Sequence, residues 1–205
     1  MGLKERRERQ KEATREGILA AARTIARTEG WGAVTIRRIA ESIEYSPPTI
    51  YEYFAGKDAI LSEVQRDGFE QLADALRCAG EDRKDPAECL TAIGKASWQF
   101  AQNQPELYQV MHGADSAGLP TEETLAGARK AAAVVYEALE WWASEKKIVL
   151  TDPQGAVETL WALLHGMVTV TGLDRVKGGA ERAERLVEQA LLDLLFAWAA
   201  RSKAG

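Results

Sequence analysis

Two cysteines, Cys78 and Cys89, and two histidines, His112 and His165, are all that 205 residues hold of either type. They form no paired Cys-x-x-Cys set and no H-E-x-x-H or E-x-x-H spacing, so no metal site is expected. The cysteines flank one interhelical loop and can approach each other. They are either a redox pair or two reduced, half-buried thiols, and the second is the expectation. No glycine-rich phosphate loop follows a strand, since Gly30-x-Gly32 sits between helices, and the adjacent carboxylates read as solvated helix starts. No catalytic residues and no cofactor are therefore expected. Apolar runs stop well short of the ~18 residues that a membrane span needs, so no membrane partner is expected either. Met1 to Arg15 is almost wholly charged or polar, without a signal pattern, which places the expected compartment in the cytoplasm. The body shows no strand alternation of any length, and the fold class that follows is all-α.

What the chain does have is a 46% hydrophobic, 28% charged composition, enough for a sizeable core in one large or two small domains. Its net charge of −5 is unevenly placed. Residues 1–57 hold eleven lysines and arginines against eight acids, a balance of +3, and the remaining 148 hold fifteen against twenty-three, a balance of −8. Phosphate affinity depends on where positive charge is placed, not on its sum. The division suits a basic head on an acidic body.

The head is organised around Thr35 to Lys57, TIRRIAESIEYSPPTIYEYFAGK. Ile36, Ile39, Ala40 and Ile43 recur at i, i+3, i+4 and i+7, one apolar stripe of a short helix, and Thr35 stands where its hydroxyl can cap the first turn. Ser46 is placed to cap a second helix over Pro47–Phe54, whose prolines lack only N–H groups that have no intrahelical partner there. Proline before proline disfavours α geometry at Pro47, so Pro48 is an alternative start. Ile50 and Phe54 can pack on the first stripe, which turns Pro48, Thr49 and Glu52 outward with Tyr51 and Tyr53 on the flanks. Two short helices joined by a tight turn are the layout of a helix-turn-helix, whose second helix enters the major groove.

These residues resemble the signature of the tetracycline-repressor (TetR) family of bacterial transcription regulators. Thr35-Ile36-Arg37-Arg38-Ile39-Ala40, Ser46, Thr49-Ile50-Tyr51-x-Tyr53-Phe54 and Lys57 to Leu61 fall in its order and spacing, and the likeness covers roughly Thr14 to Leu61. Glu44 and Tyr45 depart from it, where the family commonly has glycine and a small aliphatic. A left-handed Glu44 would cost ~1–2 kcal/mol. The resemblance implies a ligand-released homodimeric repressor reading a pseudo-palindromic, double-stranded DNA operator. Helical wheel and matching positions together assign Arg37, Pro48, Thr49 and Glu52 to bases, and Thr35, Tyr51, Tyr53 and Lys57 to phosphates. The competing expectation is an all-helical small-molecule-binding or interaction protein that has kept the head without specific DNA readout.

Three segments are expected: a flexible charged arm over 1–13, a helix-turn-helix DNA-binding domain over 14–62, and a helical ligand-binding and dimerisation domain over 63–205. The arm either reaches phosphates or the minor groove or is a frayed, solvated helix end. Helix one runs from Thr14 to Gly30 with Ile18, Ala21, Ala22, Ile25 and Ala26 on one face. A long helix from Asp58, after Lys57, to about Gly80 is expected to link head to body. Further helices are expected over Pro86–Gln102, Pro105–His112, Thr121–Lys147, Pro153–Asp174 and Ala180–Arg201. The last two resemble the family's dimerising helices, which implies an interface through Val157, Leu164, Val168, Val187, Leu191, Leu194 and Trp198, with Gly166 allowing close approach. Trp161-x-x-x-His165-Gly166 and Asn103-x-Pro105-Glu106-Leu107-Tyr108 resemble a subset named for a Trp, His and Gly in its body. Trp98, Tyr108, Met111, Trp161 and His165 are the candidate pocket for an apolar or aromatic effector. Taken singly, each is more readily read as core.

Overall fold

The computed structural model describes residues 2–113 and 122–202, and expectations that fall on Met1, on Thr121 or on 203–205 lie outside the described residues. Nine α-helices appear among the described residues, and no strand does. They are α1 Leu3–Glu29, α2 Ile36–Ser42, α3 Pro47–Tyr51, α4 Lys57–Gly80, α5 Pro86–Asn103, α6 Pro105–His112, α7 Glu122–Lys146, α8 Pro153–Gly172 and α9 Gly179–Ser202, with a 3-10 turn over Trp31–Ala33 after α1.

Helix starts follow side-chain chemistry. Thr35 Oγ1 accepts the Arg38 N–H at 3.3 Å. Asp85 Oδ1 accepts the Ala87 and Glu88 N–H groups at 2.9 and 3.0 Å. Asp152 Oδ1 accepts that of Gly155 at 2.8 Å, ahead of α8. Each satisfies an amide that the helix itself leaves without a partner. α1 is helical from Leu3, so the segment expected as either a charged arm or a helix end continues the first helix. Residues 4–12 are nearly all strong helix formers, and a helix nucleated over Thr14–Glu29 extends at little cost through such residues. Gly2 N–H donates to the Glu5 carboxylate at 3.1 Å and secures the new start.

The chain forms two compact units. The first combines residues up to Gly68 with the stretch Gln104–Leu125; the second combines Phe69–Asn103 with the chain from Ala126 onward. The expected division is 14–62 and 63–205; in this split α6 falls in the same unit as the helix-turn-helix residues. The reason lies in polar contacts that local sequence does not reveal. Trp31 Nε1 donates to the Glu106 carbonyl at 2.7 Å, Arg23 Nη2 to Gln104 Oε1 at 2.8 Å, and buried Gln65 Nε2 to the Val110 carbonyl at 2.6 Å. Gly68 completes the fit, because a Cβ there would lie 2.7 Å from Met111 Sδ.

In the second unit α5, α8 and α9 pack together. A Cβ on Gly94 would collide with Leu191 Cδ1, so glycine at that position permits the α5–α9 approach. Ala183, Val187, Leu191 and Leu195 point one face of α9 into the core, with Val157, Leu160 and Leu164 on α8. Cys78 is exposed and Cys89 buried, both as free thiols. Burial pushes the Cys89 thiol above its usual range.

Candidate nucleic-acid interface

The head closes around Ile18, Ala22, Val34, Ile39, Ala40, Ile50, Phe54, Ile60 and Leu61, all buried. With Ile39 and Ile50 fully excluded from water, α2 and α3 are fixed against each other and their opposite sides face solvent. α3 ends at Tyr51, three residues short of the expected Phe54. Its last turn tightens: Glu52 N–H donates to Thr49 O at 3.2 Å and Tyr53 N–H to Ile50 O at 3.0 Å, the i to i+3 pattern of a 3-10 end. Phe54 N–H still reaches Ile50 O at 3.0 Å, which keeps Phe54 on the core side.

Thr35, Arg37, Pro48, Tyr51 and Glu52 are exposed on this head, with Thr49, Tyr53 and Lys57 half-buried. All eight expected DNA-contact residues therefore lie within one folded unit. Tyr51 is 57% exposed, a large aromatic ring left in water. Ser46 caps through its backbone: its carbonyl accepts the Thr49 N–H at 3.0 Å, while its hydroxyl meets Thr49 Oγ1 at 2.9 Å. The turn between the helices passes through Glu44 at φ 60°, in the left-handed region.

The two arginines of α2 differ in what holds them. Arg37 Nε donates to Glu41 Oε1 at 2.8 Å, four residues on, and its side chain is 81% exposed. That hydrogen bond holds the Arg37 guanidinium above its usual range. Arg38 instead spans to Glu29 at the end of α1 and donates to the Ala33 carbonyl at 3.4 Å. The same pairing holds the Glu29 carboxyl below its usual range. Lys57 Nζ donates to the Trp31 carbonyl at 2.9 Å, so this cation also ties the start of α4 to the 3-10 turn. A residue that sequence reading passed over completes the frame. Arg15 lies with its guanidinium 4.5 Å over the Phe54 ring and pairs with Glu63 at 2.8 Å, and Arg66 pairs with the same Glu63. Both partners are about 40 or more residues from Arg15, which is why no local pattern announced them.

The remaining expectations fare differently. Val157, Leu164, Val187 and Leu191, expected at an interface between copies, are buried within the second unit. Their helices are apolar on more than one side, and the periodicity alone did not say which side turns inward. Val168, Leu194 and Trp198 are half-buried. Val170, Leu173, Leu192 and Phe196 are the exposed apolar residues of this region, and the added Cβ at Gly166 would meet nothing within 4 Å. Of the pocket candidates, Tyr108 and Met111 belong to the first unit, and Trp98, Trp161 and His165 to the second. Trp98 is core, Trp161 half-buried and His165 exposed. Burial pushes the Tyr108 phenol up to about 12. A cavity of about 420 Å³ beside Trp198 and Asp152, and one of about 330 Å³ beside Arg15 and Tyr53, include none of the five. Among the described residues no group of three His, Cys, Asp or Glu is placed to hold a metal, and no helix is long and apolar enough to cross a membrane.

Residues 18–64 match the description of bacterial regulatory proteins of the tetR family, and residues 90–194 match the tetracyclin repressor-like C-terminal domain. The uncharacterized HTH-type transcriptional regulator YobS of Bacillus subtilis is 28% identical over 96 residues, 47% of this chain and 50% of that protein. The HTH-type transcriptional repressor BdcR of Escherichia coli is 30% identical over 93 residues, 43% of this chain and 45% of that one. The chain thus spans half or less of the length of these curated relatives. A solved structure from Rhodococcus sp. RHA1, described as a protein with unknown function, superposes with a TM-score of 0.79 at 19% identity, covering 90% of this chain and 95% of that one. At that identity the likeness shows the fold alone.

Proposed function

Because this chain belongs to the TetR family of bacterial regulatory proteins, we propose that it is a homodimeric, ligand-released transcriptional repressor in the cytoplasm, with no catalytic step of its own. The observation that carries the DNA-binding part is the solvent-facing set Arg37, Pro48, Tyr51 and Glu52 on a head closed by Ile39, Ile50 and Phe54. Arg37 is bound only to a neighbouring surface carboxylate, an exposed pair of little net strength. It can exchange Glu41 for guanine O6 and N7. Thr49's hydroxyl is engaged with Ser46, which leaves its methyl for a thymine methyl, and Glu52 can accept from cytosine N4. Thr35, Tyr51, Tyr53 and Lys57 supply donors to phosphates.

One short helix reads only a few base pairs, so specificity calls for two heads set ~34–36 Å apart on a pseudo-palindrome. The second copy is taken up on the outer sides of α8 and α9, through Val170, Leu173, Leu192 and Phe196 beside Gly166, with Val168, Leu194 and Trp198 at the margin. Release rests on family membership, and the effector is a mostly apolar or aromatic molecule. A hundredfold loss of operator affinity needs ~2.7 kcal/mol of coupling, and DNA must weaken the ligand by the same factor.

Selection of bound duplexes from a random pool tests the reading. It should enrich two inverted half-sites spaced by one helical turn or a multiple of it. Recovery of sequences with no common element would overturn it.

A further inference from the structure

The first three turns of α1 lie outside the set of residues that touch DNA in the proposal above, yet they carry five of the head's eleven cations: Lys4, Arg6, Arg7, Arg9 and Lys11. As a linear segment their charge is offset by Glu5, Glu8 and Glu12. As a helix it is sorted. Lys4, Arg7, Lys11 and Arg15 follow one another at steps of three, four and four, and so share one stripe, while Glu5, Glu8, Glu12 and Glu16 form a second stripe beside it. Arg6 and Arg9 fall on another side. The basic stripe runs on into Ile18, Ala22 and Ile25, the buried face of α1, so the overhang presents its cations on the same side that the helix packs into the head.

Residues 4–13 are all exposed, and the side chains of Lys4, Arg7 and Lys11 make no ion pair or hydrogen bond among the described residues. The inner end of the stripe is anchored: Arg15 lies over Phe54 and, with Tyr53, borders one cavity at the end of the recognition segment. From Arg15 outward to Lys4 the stripe spans ~16 Å at 1.5 Å per residue. That is on the order of five base-pair rises along a duplex.

We propose that this overhang is a clamp for the DNA backbone, in which Lys4, Arg7 and Lys11 hold phosphates flanking the base pairs read by α3. It rests on the DNA-binding reading above and extends it to a sequence-independent contact. A membrane surface is a poorer fit, because an interfacial helix needs an apolar face and residues 4–13 offer only Ala13.

The full-length protein is titrated with a selected operator and with a random duplex over 50 to 200 mM salt. Replacing all three cations (K4A/R7A/K11A) should lower the slope of log affinity against log salt by about three per bound head, at ~0.9 per phosphate. Affinity then falls roughly fortyfold less per head across that salt range. The preference among operator variants should stay as it was. R6A/R9A, on another side of the same helix, should leave the slope unchanged. Alanine keeps the helix, and circular dichroism and thermal unfolding confirm that each variant folds. An unchanged slope in the triple variant would overturn the clamp, as would an equal loss per charge in R6A/R9A or binding to anionic vesicles in place of duplex. The random duplex separates the two readings. Failure to select an operator sinks sequence-specific repression, whereas the slope on random DNA judges the clamp by itself.

Discussion

Arg37 and Lys57 carry the same charge on the same head, but the structure ties them differently, and their substitutions should part accordingly. Arg37 is held by one exposed carboxylate and contributes little to folding. Arg37→Ala should cost about ten- to a hundredfold in operator affinity, relax preference at one base pair and leave thermal unfolding unchanged. Lys57 is bonded to the Trp31 carbonyl. Lys57→Ala should weaken all sequences alike and flatten the salt slope by about one. It should also cost about 1 kcal/mol of stability, roughly 2–4 °C in a chain of this size. A gel-shift salt series alongside calorimetry reads both. Glu44 presents the opposite case, a side chain in the left-handed region at φ 60°. Glu44→Gly should raise the unfolding temperature by roughly 2–4 °C with DNA binding retained, since it removes about 1 kcal/mol of strain; a lower temperature would show that the turn is not strained. Thr35 as a cap was legible because it is decided within four residues. Arg38 on Glu29, Arg15 on Phe54 and Lys57 on Trp31 were not, since these partners meet only after the helices have packed.

Helix limits in the body were nearly all readable, because aspartate or proline marks the starts of α5, α6 and α8, and the apolar repeat fixes their lengths. The bounds of α6, Pro105–His112, were legible but its grouping was not, and neither was the start of α1. α1 begins near Leu3 instead of Thr14 because extension of an existing helix needs no apolar stripe, only residues that favour the helix. α6 joins the head through Trp31, Arg23 and Gln65, a grouping set by distant polar pairs. The facing of α9 was likewise open in a helix that is apolar on two sides. The structure decides it through Gly94, whose missing side chain makes room for Leu191. Gly94→Ala should therefore force Leu191 out of its place and cost about 1–3 kcal/mol, as overpacking of a tight core does. Urea unfolding measures this, and an unchanged midpoint would mean that α5 and α9 can move apart freely. Leu191→Asp should lower stability far more, because it buries an unpaired charge. It cannot serve as a test of oligomeric state.

At the scale of the whole molecule, residues 1–57 carry a surplus of positive charge and the remainder a surplus of negative charge, which suits the proposed contact of the former with phosphates. Under the proposed reading, specific readout by such a small head calls for a second copy, and the apolar residues left in water on α8 and α9 are its proposed contact. Phe196 is 77% exposed, and Leu192, four residues before it, shares its side of α9. Covering a phenylalanine and a leucine is worth about 1.5–3 kcal/mol each, and a twofold axis counts every such burial twice. Phe196→Asp together with Leu192→Asp should thus give monomers, by placing four carboxylates in an apolar contact. Both sites are exposed in the single chain, so helical content should be kept and unfolding should become independent of protein concentration. Operator affinity should fall to the non-specific level, because one head alone cannot hold two half-sites. Sedimentation velocity decides the matter. A double variant that still sediments as a dimer would move the twofold contact off α8 and α9, and folded monomers that retain full operator affinity would show that a single head suffices.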